Sequence, residues 1–275
     1  EAGWYRYHRL FAEYLQNRLR EQQAERWRSL HWKAAAWFED QDHPERAIDH
    51  YLEVGEEGDA ARLMEALAHE IFINGRWATL MDWRHTLDET VLVQHPLLAL
   101  FQSRAAERLE RWSQALALVD LVETGYQRQG DDEGLAYARL HRCQVWLRQG
   151  RASEAEALAR ETLQMIDAER LPVGYEGYRM LGRSVAAQGR WADAVTYLEQ
   201  ARDLCESQGR PYTCASIQSH LSEALRVQGR LDASLEAGRH ALVTWRTLGN
   251  DGIIAGELND LGFLAYASGA YEDAL

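Results

Sequence analysis

The sequence predicts an all-α chain, a right-handed superhelical solenoid of antiparallel helix pairs repeating about every 40 residues. Two observations predict it. A Gly-Arg or Gly-Ala step recurs at Gly150-Arg151, Gly189-Arg190, Gly229-Arg230 and Gly269-Ala270, at intervals of 39, 40 and 40 residues. An earlier copy, Glu110-Arg111, keeps the period with Glu in place of Gly. Residues at fixed offsets after each step also match. Two positions on stand Trp112, Ala152, Trp191, Leu231 and Tyr271; five on stand Ala115, Ala155, Ala194, Ser234 and Ala274. Such self-similarity marks stacked units, each unable to bury its own apolar face alone.

The N-terminal third keeps helical periodicity while the repeat blurs. Apolar spacing places helices near 21–40, 44–54, 59–74 and 77–86, packed as irregular antiparallel pairs. From Pro96 onward each unit reads as a first helix, a tight turn at the Gly-Arg step, and a second helix. Glycine at the turn supplies the left-handed backbone that ends many helices. In the third unit a helix over about 176–188 carries Leu181, Gly182 and Val185 on one face. The next, from about 192, carries Ala194, Leu198 and Ala201 toward the core. The fourth unit repeats this with Leu221, Ser222, Leu225, Ser234, Gly238 and Ala241, and the fifth with Leu261, Gly262, Ala265 and Ala274. Small residues at these places let the two helices of a pair approach closely. The four prolines, Pro44, Pro96, Pro172 and Pro211, fall where helices start or connections turn.

Composition removes several function classes. No run of eighteen apolar residues exists, so no membrane span is expected. A net charge of −13 opposes direct grip on nucleic acid, which needs a basic footprint. Lys33, the single lysine, lies between Trp32 and Ala34, so a Walker A loop is absent, as are GxSxG, HExxH and GxGxxG. No catalytic residue and no cofactor is expected in this segment. Cys143, Cys205 and Cys214 lack CxxC spacing and are expected as free thiols in a reducing cytoplasm, and with His220 they are too irregularly spaced for zinc. Ser153 and Glu156 have capping-box spacing, and Asp131-Asp132 and Glu56-Glu57 suit helix starts. Ten tryptophans suggest a sugar platform, yet Trp112 and Trp191 sit at the repeat's packing position. Trp32, Trp37 and Trp83 fall on apolar helical faces, so core packing is the expectation for most of the tryptophans.

The sequence of residue types in each unit (Leu-Gly, a larger residue, Gly, an aromatic, Ala, a large apolar and Ala) resembles the tetratricopeptide repeat. The match is close in the third to fifth units and looser earlier, where Arg142-Cys143 and Gln102-Ser103 replace Leu-Gly. An ordinary unit has about 34 residues. The extra length is expected in longer helices and in connections such as 168–174 and 207–213. The expected units are 96–135, 136–174, 175–214, 215–254 and an incomplete 255–275.

In such repeats the first helix of each pair lines the concave face, so its residues opposite the core are the natural ligand contacts. The repeat register gives Arg104, Glu107, Tyr137, Gln144, Arg179, Arg183, Ser219, Glu223, Arg226, Asn259, Phe263 and Tyr266. Stacking is expected to bring Arg183 and Glu223 together, with Arg179 and Arg226 flanking. This mixed polar and aromatic surface suits a sugar, a carboxylate or a peptide; equally, such residues serve as solvated helix surface and intramolecular ion pairs.

A second resemblance covers nearly the whole chain. The segment Trp4-Tyr5-Arg6-Tyr7-His8-Arg9-Leu10-Phe11-Ala12-Glu13-Tyr14-Leu15 resembles the winged-helix end of MalT-like activators, ATP-binding regulators within the STAND group. His31-Trp32-Lys33-Ala34-Ala35-Ala36-Trp37-Phe38-Glu39, Pro44-Glu45-Arg46-Ala47-Ile48, Gly75-Arg76-Trp77 and His95-Pro96-Leu97-Leu98-Ala99-Leu100 resemble that family's lead into its repeats. The resemblance implies a winged-helix tail over 1–20, irregular pairs over 21–95 and repeats over 96–275. It also implies a cytoplasmic sensing segment that binds a small-molecule inducer or a regulatory protein and supports self-association, with ATP and DNA bound by other domains of a parent protein. A peptide-binding scaffold is the alternative.

Overall fold

In the computed structural model, residues 8–168, 171–249 and 251–269 are described. Tyr271, Ala274 and the opening Trp4–Tyr7 stretch of the resemblance lie outside them. Every regular element among the described residues is a helix. Two compact units form, 1–114 and 115–275, so the first takes in the first helix of the expected array.

In the first unit, α1 (Arg9–Gln22) and α2 (Ala24–Asp40) are followed by α3 (Pro44–Glu53), α4 (Glu57–Ile73), α5 (Trp77–Arg84), α6 (Glu89–Gln94) and α7 (Pro96–Arg108). The helix expected near 21–40 forms as α2 but starts three residues later, after a break at Gln23, whose φ of −142° leaves the helical range and separates it from α1. Helix α2 packs on α3, α3 on α4, and both α4 and α5 on α7. Ala35, Ala47, Ile48, Met64, Ala68, Leu80, Leu92 and Leu98 are buried in this unit. Pro44 and Pro96 occupy first helical positions, where a missing N–H costs nothing. Trp32 and Trp37 correct the core expectation, being 51% and 48% exposed. Ala35 between them takes the buried side of α2, because a helix turns only 100° per residue and one stripe serves the core.

Helix α8 (Trp112–Gln129) carries the chain into the second unit. There follow α9 (Asp132–Arg148), α10 (Ala152–Met165), α11 (Gly174–Ala186), α12 (Trp191–Ser207), α13 (Pro211–Val227), α14 (Leu231–Leu248) and α15 (Asp251–Ser268). From α9 onward each helix packs on the next, and α11 also touches α9 and α13, as stacked pairs require. The turns form as the sequence predicts: Gly150, Gly189, Gly229 and Gly269 have φ between 74° and 84°. The next residue's N–H closes each described turn onto a carbonyl five residues back, as from Arg151 to Trp146, Arg190 to Val185 and Arg230 to Leu225, at 2.9 to 3.0 Å. Glu110 adopts the same conformation, φ 57°, and Arg111 N–H reaches Ala106 O.

Within a pair the crossing is tight. A Cβ built on Gly182 lies 2.7 Å from Leu198 Cγ, so only glycine lets α11 approach α12 this closely. Trp191 is partly buried against the core formed by Val195, Leu198, Leu221 and their neighbours, and Trp112 and Trp83 are likewise only partly buried.

Three local expectations are corrected. The 207–213 connection shrinks to residues 208–210, because α13 starts at Pro211 and the extra length goes into 17-residue helices. Ser153 lies inside α10, behind an Arg151 cap residue, and its hydroxyl meets Gln188 rather than the helix end. That short α12–α13 connection also brings Cys205 and Cys214 together as a disulfide with Cα atoms 5.6 Å apart, so only Cys143 is a free, buried thiol. Asp131 does cap α9, accepting from Gly134 N–H at 2.8 Å.

Candidate functional site

The first helices of successive pairs in the second unit are α9, α11, α13 and α15, and polar side chains tie each to the next. Between α9 and α11, Tyr137 hydrogen bonds Tyr175, and burial pushes its phenol well above the usual range. A second link in the same interval runs from Arg183 Nη1 to Gln144 Oε1. Arg179 is held by Glu176, one turn back on α11, through two N–H···O bonds of 2.8 and 2.5 Å. Only 15% of the Arg179 side chain and 19% of Glu176 are exposed, so this pair is better shielded than a surface ion pair.

Between α11 and α13, the Arg183 and Arg179 charges of α11 act on His220 of α13. The imidazole pKa falls from its ordinary 6.5 to about 3, first through burial, then through the two guanidinium charges. Its Nδ1 donates to Ser216 O at 2.5 Å, which makes Nε2 the acceptor nitrogen of a neutral ring. His220 retains some exposed surface although protein atoms crowd it, as suits a residue lining a narrow seam. Between α13 and α15, Ser219 bonds Glu257, whose carboxyl is raised chiefly by burial and secondarily by Asp260. Ser219 Oγ also accepts from Trp245 Nε1 at 3.4 Å, and Tyr212 packs edge-on against that indole.

Of the sequence candidates, Tyr137, Gln144, Arg179, Arg183 and Ser219 thus lie along one seam. Glu223 and Arg226 are exposed on α13, and Asn259, Phe263 and Tyr266 are exposed on α15. The α13 residue brought to Arg183 is His220, which the register missed because it precedes Leu221 and shares its core-side position with Met180. Arg104 belongs to the first unit, with its guanidinium over Phe72 and Phe101 at 5.6 and 5.8 Å from the ring centres. Glu107 is partly buried on the same helix. Tyr175, Glu176 and Glu257 were also unforeseen; they occupy positions where the repeat carries no consensus.

A separate open depression of about 400 Å³ lies along α10, lined by Ser153, Glu156, Ala157, Arg160, Glu161 and Gln164. Glu156 there joins Arg160 and Arg190 and accepts from Gln188 at 2.9 Å, closing α10 onto the α11–α12 turn. Burial raises the Cys143 thiol to about 12, which leaves it unreactive. No group of three His, Cys, Asp or Glu among the described residues is placed to hold a metal ion. None of their helices is long and apolar enough to cross a membrane.

Comparison with known proteins places these features. A tetratricopeptide repeat family model matches residues 178–207, most of α11 and all of α12. The HTH-type transcriptional regulator MalT of Yersinia pestis (strain Pestoides F) is 28% identical over 248 residues, covering 87% of this chain. MalT of Yersinia enterocolitica serotype O:8 is 27% identical over 241 residues, covering 85% of this chain and 26% of that protein. The chain spans about a quarter (27%) of the length of the first of these relatives. Among solved structures, a STAND protein with a tetratricopeptide repeat sensor from Pyrococcus horikoshii superposes with a TM-score of 0.60 at 12% identity, over 90% of this chain and 38% of that one. A Rap protein complexed with competence and sporulation factor gives 0.63 at 12% identity, over 90% and 72%. Both likenesses are of fold. The chain is MalT-like over most of its length and carries tetratricopeptide-type repeats.

Proposed function

We propose that this MalT-like chain is the sensing segment of a transcriptional regulator, and that the seam along α9, α11 and α13 receives its effector. The observation behind this reading is the placement of polar contacts. Tyr137 with Tyr175 and Gln144 with Arg183 join one helix pair to the next, and the α11 arginines act electrostatically on His220 of the following pair. A ligand that replaces one of these contacts changes how neighbouring pairs stack. Stacking is the property a repeat array transmits along its length. Activation of transcription, ATP binding and self-association would belong to the parent regulator, and no direct DNA contact is assigned to this negatively charged segment.

The test is a thermal-shift screen against sugars, organic acids, amino acids and aromatic metabolites. A ligand at 100 times its dissociation constant adds about 2.7 kcal/mol to the unfolding free energy. A hit lost in Arg183→Ala and in Tyr137→Phe supports sensing at the seam; a hit that survives both places the effector elsewhere. A peptide-binding scaffold is the second reading, favoured by Phe263 and Tyr266, 61% and 66% exposed on α15. It predicts peptide capture through those rings and no response to any metabolite.

A further inference from the structure

The Cys205–Cys214 disulfide ties the last turn of α12 to the start of α13, so it crosses the joint between one helix pair and the next. Its two ends are unlike. Cys205 is fully buried in the core around Leu198 and Leu221, whereas Cys214 is only partly buried against that core. Gly209, Arg210, Pro211 and Tyr212, which lead up to Cys214, are all exposed. Cys214 is the fourth residue of α13, near the helix end that favours negative charge, while Cys205 sits near the end of α12 that opposes it.

The joint does not depend on the bond for its shape. Gln208 N–H closes α12 onto Cys205 O at 3.1 Å, and Cys214 N–H reaches Arg210 O at 3.0 Å. A reduced Cys205 has an acceptor in place, since its sulfur lies 3.5 Å from Arg210 O. The two cysteines stand nine residues apart, and closing so short a loop restrains the unfolded chain less than closing a long one. A bond with one accessible sulfur, at a joint already held by its backbone, suits reversible exchange.

We propose that Cys205 and Cys214 form a reversible redox site that exchanges with small-molecule thiols and disulfides through Cys214, and so locks or frees the α12–α13 joint. In oxidation the Cys214 thiolate attacks one sulfur of a small disulfide, RSSR, and expels RS−. The Cys205 sulfur then loses its proton and attacks Cys214 in the mixed disulfide, expelling a second RS−. The cysteine thiols are oxidised, RSSR is reduced, and the released thiolates carry off both protons as RSH. Reduction retraces these steps, with RS− entering at Cys214. Cys143, buried and with its thiol pushed up to about 12, takes no part. The site stands independently of the sensing reading.

The experiment holds the chain in millimolar mixtures of reduced and oxidised glutathione, traps thiols with iodoacetamide and counts them by mass spectrometry. The expected result is a bond that opens and closes with the glutathione ratio, and a lower melting temperature for the reduced form. In oxidised glutathione, Cys205→Ala should gain a glutathione adduct at Cys214 at least about tenfold faster than Cys214→Ala gains one at Cys205, a gap that closes when both are unfolded in urea. If either variant fails to fold, timed alkylation of the reduced unmutated chain reads the same asymmetry, with Cys214 labelled first. A bond that stays closed in reduced glutathione, or thiols that stay free in oxidised glutathione, overturns the proposal. Equal rates at the two folded cysteines would remove Cys214 as the point of entry, and equal melting temperatures for the two forms would remove the lock.

Discussion

Ser222 and Ser234 exchange hydrogen bonds across the α13–α14 crossing. Ser222 Oγ donates to Ser234 O at 2.8 Å, and Ser234 Oγ donates to Ser222 O at 2.7 Å. They occupy the places held by Gly182 and Ala194 in the preceding pair, so two buried hydroxyls satisfy one another where that pair has none. Each Ser→Ala change alone should cost about 1 kcal/mol, and the double change less than the sum by about 0.5 kcal/mol or more. Urea melts of the four proteins measure this; strict additivity would show that the two bonds are independent.

Gln102 is fully buried on α7, and neither polar atom of its side-chain amide has a partner. The third, fourth and fifth pairs carry Leu181, Leu221 and Leu261 at this place. Gln102→Leu should therefore raise the unfolding free energy by about 1–2 kcal/mol, since the amide's desolvation disappears and leucine matches its volume. A lower denaturation midpoint in the variant would mean that the amide has a role the packing does not reveal.

Glu110 holds a left-handed backbone, φ 57°, at a turn that uses glycine in the later pairs. A side chain in that region costs about 1 kcal/mol. Glu110→Gly is expected to recover about that much, whereas Gly189→Glu at the equivalent turn should lose it. Paired calorimetric scans check both signs.

His220 sets a pH dependence. Above pH 6.5 its ring is neutral whether the chain is folded or unfolded, and it adds no slope. From 6.5 down to about 3 the unfolded chain takes a proton that the folded chain refuses, so stability falls as pH falls, by up to about 1.4 kcal/mol per pH unit. Carboxylates held low by arginine, such as Glu39 and Glu45, add to acid loss with the same sign. His220→Met, matching Met180 in register, should remove only the histidine share. Equal acid slopes for the two proteins would refute the assignment.

Much of the fold is legible because its signals are local. The Gly-Arg steps mark turns that close through bonds spanning five residues, and prolines mark helix starts, so residues within a turn of one another decide both. The site was half legible for the same reason. Register alone finds Arg179 and Arg183, since it tells which face of α11 they share. It does not find His220, because that residue reaches the seam only through the angle at which α13 crosses α11. Ser153 shows the opposite failure: capping spacing was present, but α10 begins one residue earlier and the hydroxyl found Gln188 instead.

By itself the sequence determined the helical class, the 40-residue period, the turn positions and the small residues at each crossing, all consequences of backbone conformation and of one apolar stripe per helix. Tertiary structure alone decided the partners between helices. It placed His220 among two arginines, coupled Ser222 to Ser234, joined Cys205 to Cys214 over a three-residue connection, and left Trp32 and Trp37 on the surface. Side chains on different helices meet only when packing sets the distance and angle between those helices, and no short-range pattern encodes that geometry.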